Sequence, residues 1–238
     1  MTEASPRFIA RMGGFFYFLM VLIGSLASIA RRGIIVGGNP AATATNIMAH
    51  ESLYRLAFAC DLLMLVSYIA VVAYFHQMLR PVSRSVALVA ALLGVAGCTI
   101  QAVAAVFELA PLAVLGGAKY LSVFKPDELQ AQAYLYLRLY NQAYSIALVF
   151  FGFFMIVTGY LVYKSAFLPR LLGPLFALGG LAWLTYLVPS FGAKILTTWI
   201  LPFDIGEALL PLWLLAKGVN AERWKEQERA TGVALSAT

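Results

Sequence analysis

The sequence predicts an all-α polytopic membrane protein, a transmembrane helical bundle of six spans with the N-terminus and C-terminus both cytoplasmic. Two observations carry that reading. Of 238 residues, 62% are hydrophobic and 12% charged, whereas a soluble domain carries about a quarter charged and roughly half apolar residues. Such a balance cannot cover a water-facing surface. The mean hydropathy of +0.83 over the whole chain then shows that the apolar residues do not belong to one anchor but recur along the sequence, in runs near the ~20 residues a helix needs to cross the hydrocarbon.

The runs lie near residues 12–30, 56–79, 86–115, 139–163, 171–191 and 196–216. They are too long for strands, and they lack the alternation of a membrane barrel strand. The first follows Arg7 and Arg11 and ends in small residues from Ser25 to Ala30, a pattern shared with signal peptides. Its removal would leave five spans, and retention is expected because nothing after Ala30 resembles the start of a mature soluble domain. The connector 31–52 is expected outside. After the second run, Arg80-Pro81-Val82-Ser83-Arg84 pairs a helix-breaking proline with basic residues, and Lys164 to Arg170, with Pro169, repeats the device after the fourth. Both connectors are expected in the cytoplasm. In the connector 116–130, Pro126-Asp127-Glu128 reads as a helix start, so the fourth helix is expected to begin before it enters the bilayer. Residues 1–218 are expected to form a single membrane domain. Residues 219–238 are expected to be a short charged cytoplasmic tail, a surface helix that frays.

Charge sets the orientation. With the N-terminus inside, ten basic residues are cytoplasmic (Arg7, Arg11, Arg80, Arg84, Lys164, Arg170, Lys217, Arg223, Lys225 and Arg229) and five are outside (Arg31, Arg32, Lys119, Lys125 and Lys194). That ratio follows the positive-inside rule, although Arg31-Arg32 count against it. The formal charge of +6 comes from residues scattered between apolar runs, with no basic stripe interleaved with aromatics, so a nucleic-acid partner is not expected. Cys60 and Cys98 lie inside apolar runs with no CxxC pair and read as small packing residues.

Ionisable groups in hydrocarbon cost at least a few kcal/mol each and usually face the bundle interior, as a site or as a structural pair. Counted along each run, Arg55, Asp61, Glu108, Asp204 and Glu207 fall in the outer half. On the fourth helix Arg138, Asn141, Gln142 and Ser145 follow the i, i+3, i+4, i+7 spacing of one face, at the same end. Four acids and two arginines at one depth predict a polar cavity opening outward. The competing reading is that Arg55 and Arg138 neutralise the acids in fixed pairs, with Glu51 also able to reach Arg55 at i+4. Prolines 202 and 211, beside Asp204 and Glu207, would free backbone carbonyls, a device transporters use at binding sites. An unbalanced buried acid would hold a proton or await a cation. Gly13-Gly14, Gly152, Gly159 and Gly179-Gly180 are expected to allow close helix approach. Tyr134, Tyr136, Tyr140 and Tyr144 are expected as interfacial anchors or as a vestibule suited to an apolar or aromatic ligand.

Some chemistry is argued against. The two histidines, His50 and His76, sit at opposite ends of the second helix, which suits neither haem nor a three-histidine zinc site. HExxH, GxxxxGK[ST] and GxSxG are absent, and no mid-span lysine offers a Schiff base. Neither a metal nor any other cofactor is expected. A carboxylate dyad from Asp204, Glu207 or Glu108 remains an acid/base option.

One resemblance stands on Arg11, Gly14 and Tyr17; on Glu51-Ser52, Arg55, Phe58, Asp61 and Leu62; and on Leu79-Arg80-Pro81-Val82. It continues through Gly159-Tyr160-Leu161, Tyr163, Ser165, Pro169-Arg170 and Leu172-Gly173, then Gly206-Glu207 and Leu212-Trp213-Leu214-Leu215 before Lys217-Gly218. In these stretches, over roughly residues 7 to 219, the chain resembles the bacterial integral-membrane family catalogued as domain of unknown function 4386. Where that family's third span carries an Arg followed shortly by a Glu, this chain has Gly94 and Gly97, which sets it apart from any charge network through that helix. The resemblance implies the architecture and draws interest to Arg55, Asp61 and Glu207. It implies no reaction.

The function expected is a multi-pass protein of the cell (inner or plasma) membrane, more a non-enzyme than an enzyme. Its partners would be the lipid bilayer and a small cation, proton or amphipathic solute held in the polar cavity. The alternatives are an intramembrane carboxylate-dependent enzyme on a lipid-like substrate and a structural or assembly subunit whose charges are internal pairs.

Overall fold

The computed structural model describes residues 5–187 and 207–236, with side chains as far as 232 in the second stretch. Among the described residues there is no strand. The helices are α1 (Pro6–Arg31), α2 (Pro40–Ala49), α3 (Glu51–Leu79), α4 (Arg84–Leu115), α5 (Pro126–Lys164), α6 (Leu172–Leu184), α7 (Glu207–Ala216) and α8 (Ala221–Ser236). Of these, α1, α3, α4 and α5 are long and apolar enough to cross a membrane. Their surfaces agree with that role: the apolar side chains of Val66, Leu92, Val103 and Val106 are each about 60% or more exposed. The expected runs 171–191 and 196–216 are described only through α6, a 3₁₀ turn at Thr185–Leu187 and α7; residues 188–206, Asp204 among them, lie outside the described residues.

Helix ends follow local chemistry. α3 stops at Leu79 before Pro81, and α5 stops at Lys164 before the Pro169 connector. α5 starts at Pro126, where the Lys125 amide donates to Glu128 Oε2 at 2.8 Å, an acid at the third helical position reaching back to the cap. At 39 residues it is about 58 Å long at 1.5 Å per residue, far more than a bilayer requires. α2, at 10 residues, is too short to read as a span, yet Asn39-Pro40 is a legible start: Asn39 Oδ1 accepts from the Ala42 amide at 3.0 Å, and proline suits the first helical position.

The chain divides into two compact units, with the boundaries falling inside α1, α3, α4 and α5. Unit 1 comprises Met1–Leu19, Ser67–Cys98 and Ile146–Thr238, and unit 2 comprises Met20–Val66 and Thr99–Ser145.

Unit 1 is centred on aromatic rings. Tyr17, Phe75, Phe154 and Phe176 are fully buried; the other three rings lie 6.1–6.3 Å from Phe75 between centroids, and Tyr17 lies 6.0 Å from Phe176. Gly94 and Gly97 make room for this core: a Cβ on Gly97 would lie 2.5 Å from the Phe151 ring, and one on Gly94 would lie 2.6 Å from Val72. α5 and α6 touch backbone to backbone through two glycine pairs, Gly152 with Gly180 and Gly159 with Gly173, the close approach expected of small residues at a membrane helix interface.

α8 is the surface helix expected of the tail, with one face of it docked on the fold. Gly218, at φ +67°, ends the preceding helix with its amide donating to the Leu214 carbonyl at 3.0 Å, a left-handed cap that glycine adopts without strain. The chain then re-enters the fold. Trp224 is 6% exposed and its Nε1 donates to the Met78 carbonyl at 2.8 Å. The Thr231 hydroxyl donates to the Pro81 carbonyl at 2.7 Å, and Gln227 Oε1 accepts from the Ala166 amide at 2.9 Å. Both proline connectors are thus tied to one helix. Trp224→Phe removes the donor and part of the buried indole, so it is expected to cost about 1–3 kcal/mol, seen as a lower melting temperature in detergent and faster proteolysis within α8. Unchanged proteolysis would show that the bond does not hold the helix down.

Candidate functional site

The site lies in unit 2 and begins with how the chain leaves α1. After Arg31 the backbone turns, with Gly33 at φ +85°, and α2 fastens the turn. Asn46 Nδ2 donates to the Gly33 and Ile34 carbonyls at 3.0 and 3.3 Å, while the Thr43 hydroxyl donates to the Val36 carbonyl at 3.1 Å. Ile34 is thereby seated in a buried cluster with Ile47, Tyr54, Leu112 and Leu137. Side chains in a helix lean toward its N-terminus. The guanidinium of Arg31, the last residue of α1, therefore swings back along the helix rather than out into the connector.

There its Nη1 donates to Asp61 of α3 and to Glu108 of α4. Glu108 is 1% exposed and Asp61 is 8% exposed. A charge so deeply enclosed persists only if paired and hydrogen-bonded, and here one cation serves two acids. Glu108 Oε2 is buried and has no hydrogen-bond partner. The turn that carries Glu108 is held by Tyr54, whose hydroxyl donates to the Glu108 carbonyl at 2.6 Å, while Pro111, inside α4, removes the helical donor of the Phe107 carbonyl. A cavity of about 300 Å³ adjoins the cluster, lined by Arg31, Asp61, Glu108, Gln101, Asn141 and the stacked pair Tyr140 and Tyr144, among others.

The residues named from sequence distribute unevenly. Asp61, Glu108 and Asn141 come together at this cavity. Arg55 does not join them: its Nε donates to Glu51 at 2.8 Å in an exposed i, i+4 pair. Arg138 and Gln142 are exposed. On α5 the cavity is lined by Leu137, Tyr140, Asn141 and Tyr144, the same helical spacing as Arg138, Asn141, Gln142 and Ser145 but begun one residue earlier. Glu207 belongs to unit 1, where its carboxylate accepts from the Tyr17 hydroxyl at 2.6 Å and from Trp183 Nε1 at 3.2 Å. The tyrosines expected as interfacial anchors have protein partners as well: Tyr134 accepts from the Gly38 amide at 2.7 Å, and Tyr136 stacks on Phe107. The residue sequence reasoning missed is Arg31, counted there as an outer-connector cation.

Chemically, the cavity offers carboxylate and amide oxygens beside aromatic faces. Such donors suit a hard cation or an ammonium group. Among the described residues no group of three or more His, Cys, Asp or Glu converges as a metal centre would.

Long apolar helices enclosing a bridged arginine and two carboxylates define a helical membrane protein with a charged cluster in its interior. The chain belongs to the family described as Domain of unknown function (DUF4386), whose model matches residues 12–218. No curated protein and no solved structure matches it.

Proposed function

We propose that this protein is a six-span protein of the bacterial inner membrane, with both termini cytoplasmic, that binds or moves a small cation, proton or amphipathic solute at the Asp61–Glu108 cavity. The observation that carries this reading is the Asp61–Glu108 pair, two buried carboxylates that share one arginine beside a cavity of about 300 Å³. Buried charges otherwise persist only when paired, and Arg31 leaves the two acids with one formal negative charge to spare. The topology draws support from α8, which ties together the connectors after α3 and α5. Proline-basic connectors and the charged tail on one face, which also borders residues Ser5 and Pro6, are what an even number of spans and cytoplasmic termini require. Residues 1–218 act as the membrane domain and residues 219–238 as its cytoplasmic tail.

The test is titration of the detergent-solubilised protein with sodium, potassium and a methyl- to butylammonium series, in wild type and in Glu108→Gln. Wild type is expected to bind at least one of these cations. Glu108→Gln is expected to weaken that binding about tenfold or more, equivalent to about 1.4 kcal/mol, while melting within a few degrees of wild type. Failure of every cation to bind wild type sinks the cation reading.

One observation favours a second reading. Arg31 reaches both acids, as it would in a structural or assembly subunit whose charges are internal pairs. That reading expects Glu108→Gln to be as destabilising as loss of the arginine.

A further inference from the structure

A second cleft, in unit 1, has the chemistry of a lipid headgroup site. Its volume is about 460 Å³, and three cations from three elements surround it: Arg7 in the first turns of α1, Lys217 just beyond α7, and Arg223 in the first turn of α8. All three are exposed. None of the described residues lining the cleft is acidic. The other cleft near α8 differs in this respect, because there Arg80 is paired with Glu228 at 3.4 Å.

The frame of the charged cleft is fixed. The Gly218 cap turns the chain, the Asn220 amide donates to the Phe167 carbonyl at 3.2 Å, and Asn220 Oδ1 caps α8 by accepting from the Arg223 amide at 3.1 Å. Val219, Phe167 and Leu168 are buried beneath it. Lys217 and Arg223 therefore flank a hydrogen-bonded turn, and Arg7 faces the same cleft from α1.

Beside the cations runs apolar surface. Phe8, next to Arg7, is 51% exposed, and on α7 Leu212 is 48% and Trp213 37% exposed; Trp213 also lines the cleft. A tryptophan with basic residues at the end of an apolar helix surface is the arrangement of a membrane–water interface. We infer that this cleft binds the phosphate of an anionic phospholipid, whose acyl chains lie along the exposed faces of α1 and α7. Charge selects the headgroup, and the adjoining apolar faces select a lipid over a free anion.

The experiment uses the full chain in nonionic detergent and measures binding of short-chain phosphatidylglycerol, short-chain phosphatidylcholine and inorganic phosphate. Phosphatidylglycerol is expected to bind about tenfold or more tighter than phosphatidylcholine. Arg223→Gln is expected to weaken it about fivefold, the equivalent of about 1 kcal/mol for one basic residue near an anionic headgroup, and neutralising Arg7, Lys217 and Arg223 together about a hundredfold. Arg84→Gln, an exposed basic residue that does not line the cleft, serves as the control and is expected to have no effect. Because all three side chains are exposed, each variant is expected to melt with wild type in phosphatidylcholine micelles. The inference is overturned by equal affinity for the two lipids, by an Arg84→Gln effect as large as that of Arg223→Gln, or by inorganic phosphate displacing phosphatidylglycerol at equal concentration, which would mark a free-anion site.

Discussion

Arg31→Leu is expected to lower stability by about 3–5 kcal/mol, the range for removing one partner of a buried ion pair, and to broaden or abolish the monodisperse peak in detergent. The physical reason is geometric. Asp61 and Glu108 are buried on neighbouring helices, and the guanidinium is the group that lies against both. Without it two carboxylates face each other in a low-dielectric interior, where like charges repel far more strongly than in water. Leucine fills much of the vacated volume, so the loss reports charge rather than cavity formation. The triple variant Arg31→Leu with Asp61→Asn and Glu108→Gln should recover at least half of the loss, because the uncompensated charges are gone. Melting curves of the single and triple variants decide the matter. If Arg31→Leu melts with wild type, the bridge contributes nothing and the acids must be satisfied otherwise.

Gly159→Val should separate α5 from α6. A Cβ at Gly159 would lie 2.5 Å from the Gly173 carbonyl oxygen and 2.9 Å from Ala177 Cβ. The first of these neighbours is backbone and cannot rotate away, so the helices must move apart. Overpacking of this kind costs about 1–3 kcal/mol or more. Gly173 would meet Gly159 in the same way, and separation therefore also undoes the contact that mirrors it. Gly37→Val is the control, since nothing lies within 4 Å of a Cβ there. A melting temperature for Gly159→Val equal to that of the control would show that α5 and α6 are not held by backbone contact.

The two acids of the candidate site were legible in the chain. Asp61 and Glu108 stand out because a carboxylate inside an apolar run must find a partner or a cavity, and both have been found at one. Arg55 was legible too, through Glu51 four residues earlier; that exposed pair, rather than the buried acids, holds its guanidinium. Arg31 was not read as a site residue because it abuts a polar connector, where hydropathy assigns cations to water. The available signal was the lean of helical side chains toward the N-terminus, which carries a long residue at the C-terminal end of a span back into it.

The sequence by itself determined the four long helices. Apolar run length set α1, α3, α4 and α5, proline beside basic residues set the ends of α3 and α5, and Pro126-Asp127-Glu128 set the start of α5, because these are local properties of hydration and backbone geometry. Tertiary structure decided which faces look inward. On α5 a start one residue earlier exchanges Arg138 and Gln142 for Tyr140 and Tyr144 at the cavity, a rotation of about 100° that periodicity alone leaves open. It also decided which cation meets which acid and whether the charged tail floats or docks. Those outcomes depend on residues such as Trp224 and Met78, or Arg31 and Glu108, far apart in the chain and adjacent only once the helices have packed.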